Sequence, residues 1–168
     1  MLYEVQGNLL DTDCYFICHQ VNCQGKMNSG IAKSIKEKWP VVYEKYREWY
    51  IGYEAWANAH QNDNYQYEPA DVMLGSIQVV PVKKVGQCVI NMAAQNGFGY
   101  DGKRYTSYDA FWSCLSKIKG MVPKGISIGF PKNIGCCRGG ANWEVIRTMI
   151  SEVLADDYEV YIYEYNGG

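Results

Sequence analysis

The run Ile128-Gly129-Phe130-Pro131-Lys132-Asn133-Ile134-Gly135-Cys136-Cys137-Arg138-Gly139-Gly140-Ala141-Asn142-Trp143-Glu144 constrains this chain more than any other stretch. A short apolar strand over 126–130 breaks at Pro131 into a glycine-rich loop. That loop delivers the chain into an amphipathic helix starting near Asn142. Glycine permits positive φ and lets a backbone approach a ligand closely. The first N–H groups of a helix have no intrahelical partner and carry the positive end of its dipole. Strand, loop and helix start therefore make a candidate phosphate cradle. The competing reading is an ordinary strand-to-helix connection. A similar run near the N-terminus favours the cradle.

Strand signals recur at 2–6, 15–20, 77–82, 88–91, 126–130 and 158–165. Each is short, apolar, rich in β-branched or aromatic residues, and bounded by Gly, Asp, Asn or Pro. Apolar residues return with helical period in three places. Ile31, Ile35, Trp39, Val42, Tyr46 and Trp49 form one stripe, with Pro40 a break or kink. Tyr108, Phe111, Leu115 and Ile118 form the second, behind the capping-type residues Thr106 and Ser107. Trp143, Ile146, Met149 or Ile150, and Val153 form the third, with Asn142 as N-cap. Strands interleaved with helices predict an α/β fold, with a mixed, largely parallel sheet covered on both faces. Ligands of such sheets bind outside the carboxyl ends of the strands. The stretch Gly52–Pro69 reads as a polar surface excursion. No repeat or linker interrupts the pattern, and 168 residues suit one domain, 1–168.

The net charge of −2 gives no general pull toward nucleic acid or anionic membrane. Mean hydropathy is −0.30, and no apolar run approaches the roughly 20 residues that span a bilayer. No secretory signal is expected, because no basic segment leads into a long apolar core. The seven cysteines are odd in number and include no CxxC pair, and the chain has two histidines. A structural zinc site is therefore not expected. Reduced thiols in a cytoplasmic setting, with no metal or cofactor, are the simpler expectation.

The second informative run is His19-Gln20-Val21-Asn22-Cys23-Gln24-Gly25-Lys26-Met27-Asn28-Ser29-Gly30-Ile31-Ala32. A buried strand ends at His19 and Gln20, and a Gly/Asn/Ser loop leads into the helix carrying Ile31 and Ile35. Two such loops can grip the two phosphates of a diphosphate while ribose and base extend either way. With Val5-Gln6-Gly7-Asn8-Leu9-Leu10 as an opening "G-D-hydrophobic" start, the chain resembles the macro domain family from Leu2 to about Tyr165. Met27 to Ala32 match the family's first phosphate loop, and Ile134 to Gly140 the second. The branch it is most similar to contains yeast-type ADP-ribose 1″-phosphate phosphatases, the terminal ADP-ribose glycohydrolase, and small bacterial and phage members.

The resemblance implies a three-layer αβα fold that binds ADP-ribose. It implies ligand contacts from Asn22, Met27, Asn28, Ser29, Gly30 and Ile31, and from Ile134, Gly135, Cys136, Cys137, Arg138 and Gly139. Asn22 aligns with the asparagine that contacts the distal ribose; read from the residues, it can equally stabilise the turn before Gly25. His19 aligns with a histidine proposed as catalytic in the phosphatases; the alternative is a strand-end histidine bonded to backbone. Arg138 can hold a phosphate bidentately or remain solvated.

Three departures qualify the match. Cys14-Tyr15-Phe16 stand where the family carries its adenine-binding acid, with Asp11 or Asp13 as shifted substitutes. Ile90-Asn91-Met92-Ala93-Ala94-Gln95 lacks the lysine of the glycohydrolase mechanism, and the aspartate position of that mechanism falls near Gly139. Asn142 stands where related phosphatases carry an aspartate. The leading expectation is processing of a small ADP-ribose derivative, either as an ADP-ribose 1″-phosphate phosphatase or as a mono-ADP-ribosyl hydrolase. Mono-ADP-ribosylated protein is then a second possible partner. The alternative is a non-catalytic module that reads or sequesters such nucleotides. A third reading, an unrelated α/β enzyme with Cys136 or Cys137 as nucleophile, lacks a neighbouring imidazole.

Overall fold

The computed structural model describes residues 1–82, 85–99 and 101–166. Its strands are β1 (Leu2–Gln6), β2 (Phe16–Val21), β3 (Ile77–Pro81), β4 (Cys88–Ala93), β5 (Ser127–Pro131) and β6 (Glu159–Glu164). They form one sheet in the order β1-β6-β5-β2-β4-β3, and only the edge strand β3 runs antiparallel to its neighbour. The helices are α1 (Gly30–Lys38), α2 (Pro40–Ala59), α3 (Ala70–Met73), α4 (Tyr108–Met121) and α5 (Trp143–Leu154). The expected mixed α/β sheet is present.

Side-chain alternation along β2 assigns the two faces. Ile17 and Val21 join Met27, Ile35, Val42, Tyr46 and Met73 in the core under α1–α3. Cys18 joins Phe111, Leu115, Ile146 and Ile150 in the core under α4 and α5. Burial of each such large apolar side chain contributes about 1.5–3 kcal/mol, so parity fixes the register of β2 firmly. All seven thiols are free. Among the described residues no helix is long and apolar enough to cross a membrane.

Two helical expectations change. Pro40 does not kink one long helix. Its ring keeps Trp39 out of helical geometry (φ −130°, ψ 81°) and serves as the first residue of α2. The excursion expected from Gly52 starts only after Ala59, because α2 continues through Gly52. An interior glycine costs a helix about 1 kcal/mol. Buried Ala57 and the partly buried Trp49 and Tyr53 flank it and outweigh that cost.

The pairing of β2 is lopsided. It matches β4 from Phe16 to Val21, but it matches β5 only at Phe16 and Ile17. Beyond those residues β2 and β5 part. From β2 the chain passes to α1 on one face, and from β5 to α5 on the other. This is a topological switch point, where a crevice opens outside the carboxyl ends of the strands.

Candidate functional site

The crevice is a cleft of about 320 Å³ between the loop after β2 (residues 22–29) and the loop after β5 (residues 132–142). Asn22, Met27, Asn28, Ser29, Gly30 and Ile31 line its first wall, and Ile134, Gly135, Cys137, Arg138 and Gly139 its second. Lys26, Lys132 and Arg138 bring positive charge, and no Asp, Glu or His is among the described lining residues. The lining suits an anion.

Asn22 builds the first loop. Its Oδ1 accepts from the N–H groups of Gln24 (3.0 Å) and Lys26 (3.3 Å), and its Nδ2 donates to Lys26 O (2.9 Å). The buried Tyr46 hydroxyl lies 2.7 Å from Asn22 O and 2.8 Å from its Oδ1. Burial pushes this phenol well above its usual pKa, so it stays a donor. Arg47 donates to Gly25 O at 3.1 Å, and Gly25 (φ +75°) lies so close to Arg47 and Tyr50 that a side chain would not fit. Asn22 thus adopts the turn-stabilising role, with one amide hydrogen left over for a ligand.

Ser29 stands at the N-cap of α1 but makes no capping hydrogen bond. Its hydroxyl instead accepts from Arg138 Nη1 on the opposite loop. The amides opening α1 are therefore not occupied by the serine side chain, and Gly30 (φ +59°) has open space where a Cβ would stand. The Arg138 guanidinium lies 4.4 Å from the centroid of the Phe98 ring, a cation–π stack that orients it.

The second loop is held from below. Thr106 Oγ1 donates to Gly135 O (2.8 Å), and the Tyr105 and Thr106 amides donate to Gly139 O (2.8 and 2.9 Å). A Cβ on Gly139 would collide with Thr106 and with the Gly135 backbone, so glycine is required there. Gln20 donates to Gln95 Oε1 (2.7 Å) and Thr106 Oγ1 (2.8 Å), while its own Oε1 is buried without a partner. Gln20, Gln95 and Phe98 border the cleft and were not expected from sequence. The parity of β2 was the available signal, since Gln20 must face away from Ile17 and Val21.

Three expectations need correction. His19 does not reach the cleft. It shares the face of Ile17 and Val21, is fully buried, and its Nε2 lies 2.5 Å from Asn91 Oδ1. Asn91 Nδ2 donates to Gln78 Oε1 (3.0 Å), and Gln78 Nε2 to Lys45 O on α2 (2.8 Å). Burial lowers the His19 pKa to about 4, against the opposing effect of Asn91, which makes it a neutral strut between sheet and helix. Cys136 does not line the cleft either. It packs against the α4–α5 core, its Sγ lies 3.4 Å from Ile134 O, and burial raises its thiol to about 11. That pKa removes it as a nucleophile. Finally, the start of α5 is not the cradle. Asn142 caps it by accepting from Glu144 N (2.9 Å), and neither Asn142 nor Trp143 lines the cleft. The second wall is built from loop backbone, the first from a helix N-terminus.

No family model matches the chain. A stretch of 68 residues is 34% identical to an ADP-ribose 1″-phosphate phosphatase of Neosartorya fischeri. That stretch is 40% of this chain, and it spans about a third of the relative's length (31%). The structure is similar to the macrodomain of Mycobacterium tuberculosis DarG (TM-score 0.73, 20% identity, 97% of each chain). It is also similar to Thermosipho africanus DarTG in complex with ADP-ribose (TM-score 0.70, 14% identity, 96% of this chain and 41% of that one).

Proposed function

From the macrodomain fold that this chain adopts, we propose that it binds ADP-ribose or a close derivative in the cleft between its two loops. One observation carries this reading. The uncapped amides of α1 face the backbone of the second loop across a cleft lined by three cations and no carboxylate. Backbone N–H groups and a helix dipole suit the two phosphates of a diphosphate. Arg138 is placed to add a bidentate contact. The neighbour bound to ADP-ribose and the phosphatase relative support the choice of nucleotide.

Recognition without turnover is favoured by the burial of His19 and by a lining free of Asp, Glu and His. Turnover of ADP-ribose 1″-phosphate is the second reading, supported by the phosphatase relative. It would rest on electrostatic stabilisation by amides and Arg138, with the Gln20 carbonyl oxygen as an acceptor for an attacking water. Free thiols fit a reducing compartment, and we assign the domain to the cytoplasm.

Isothermal titration with ADP-ribose tests binding. A dissociation constant in the micromolar range is expected, about −8 kcal/mol at 1 μM. Absence of binding below millimolar by ADP-ribose and by its 1″-phosphate would overturn the proposal. Phosphate release under single-turnover conditions decides between the two readings.

A further inference from the structure

Charge is unevenly placed along this chain. The stretch from Glu48 to Val82 holds Glu48, Glu54, Asp63, Glu68 and Asp71 and no Lys or Arg, although 16 basic residues occur in the chain. The same stretch carries Trp49, Tyr50, Tyr53, Trp56, Tyr65 and Tyr67. All five carboxylate residues are exposed. The aromatic rings form a connected array rather than separate core anchors. Trp49 lies 5.7 Å from Tyr53, Trp56 lies 5.3 Å from Tyr67, and Tyr65 lies 4.6 Å from Tyr67, in edge-on arrangements. Tyr65 and Ile51 are each 49% exposed.

This face is continuous with the cleft at two points. The Tyr50 ring abuts Gly25 of the first loop, and its hydroxyl donates to Glu54 at 3.2 Å. Asn96 donates to Glu68 Oε1 at 2.5 Å and accepts from Gln24 Nε2 at 2.7 Å. Glu54 and Glu68 thus each stand one side chain from the loop that lines the cleft. Arg47, the cation at this edge, donates to Gly25 O.

The geometry points to a docking surface for a basic polypeptide segment, placed so that the segment's attached ADP-ribose enters the cleft. This rests on the reading of the cleft as an ADP-ribose site. Carboxylates beside exposed aromatic rings attract Lys and Arg both by charge and by cation–π contact. The same carboxylates repel a phosphate backbone, so a nucleic-acid carrier is disfavoured on this face. Specificity for the carrier and for the nucleotide would then reside on separate parts of one molecule.

The test compares four probes by titration on the wild-type chain: ADP-ribose, a serine-ADP-ribosylated peptide flanked by lysines, the same peptide flanked by glutamates, and an unmodified single-stranded oligonucleotide. The lysine peptide should bind about ten-fold tighter than ADP-ribose, the sum of several exposed contacts. The glutamate peptide should show no gain, and the oligonucleotide should not compete. The double variant Glu54→Gln/Glu68→Gln keeps acceptors for Tyr50 and Asn96 while removing charge. It should erase most of the gain and leave ADP-ribose affinity unchanged. Equal affinity for both peptides, an undiminished gain in the double variant, or competition by the oligonucleotide would overturn the docking surface. Failure of ADP-ribose to bind would instead overturn the reading of the cleft. In that event amide shifts induced by the unmodified lysine peptide still report on the face, and their absence at Glu54, Tyr65 and Glu68 would sink it too.

Discussion

Arg138 on the second loop donates a hydrogen bond to the Ser29 hydroxyl on the first, joining residues that lie 109 positions apart across the mouth of the cleft. The bond does two things at once. It withholds the serine from its ordinary capping position, and it sets a cation beside the uncapped start of α1. Two sources of positive potential meet there, an arrangement that an anion relieves.

Arg138→Ala should therefore weaken ADP-ribose binding by about ten-fold or more, since hydrogen bonds to charged groups are worth about 1.5–3 kcal/mol. It should also flatten the salt dependence of affinity. Arg138→Lys should not restore binding, because an ammonium lacks the planar fork that stacks on Phe98 and pairs with phosphate. Ser29→Ala removes the same bridge and no charge, so its effect should be far smaller. Titrations at two ionic strengths check all three. Equal losses for the serine and arginine variants would mean that the bridge, not the charge, matters.

The first loop gives a cleaner separation of scaffold from contact. Tyr46 is fully buried and touches the loop only from beneath, through Asn22. Tyr46→Phe should cost about 1 kcal/mol of stability and loosen the loop, with faster amide exchange at Gln24 and Lys26. Asn22→Ala should do the same and lower affinity further, because it also deletes the remaining amide hydrogen. If Tyr46→Phe leaves exchange in the loop unchanged, Asn22 holds the turn unaided.

The two glycines most open to test differ in what lies above them. A side chain on Gly30 projects into open space, whereas one on Gly135 meets Gln20 Oε1 at 2.9 Å and Thr106 Oγ1 at 3.1 Å. Gly30→Val should fold with modest strain from its positive φ and block the nucleotide. Gly135→Val should lower the melting temperature as well as affinity, because the floor beneath it must move. Thermal melts beside titrations separate these outcomes; a Gly30→Val variant with wild-type affinity would place the phosphates away from α1.

Much of this arrangement was legible in the sequence because it depends on local periodicity. Alternating apolar residues placed all six strands, and the residues of the two loops could be named before their partners were known. The errors share a cause. Sequence order shows that His19, Cys136 and Asn142 lie near glycine loops, but not which way each side chain turns. His19 follows Ile17 on β2 and so turns under α2, Cys136 turns into the α4–α5 core, and Asn142 turns back onto its own helix. Gln20, next to His19, inherits the cleft by the same alternation. Pairs such as Arg138 and Ser29 lie beyond local pattern, since only the sheet order brings their loops together.

The histidine strut makes a prediction about pH. His19 has a folded-state pKa of about 4, below an unfolded value of about 6.5. Between these values the unfolded chain binds the extra proton, so stability rises with pH across the window. The stabilisation is complete above about pH 6.5 and is lost as pH falls toward 4, by at most about 3 kcal/mol from this residue. Urea denaturation at pH 5 and pH 7.5 should show a clear loss at the lower pH for the wild type. His19→Gln can keep a bond to Asn91 yet cannot titrate, so its pH dependence between these points should be much flatter. Both chains should bind ADP-ribose alike at pH 7.5, where they are folded. A large loss of nucleotide affinity in folded His19→Gln would return the imidazole to the site; a wild-type stability that is flat from pH 7.5 to pH 5 would mean that it titrates freely and is not the buried strut described.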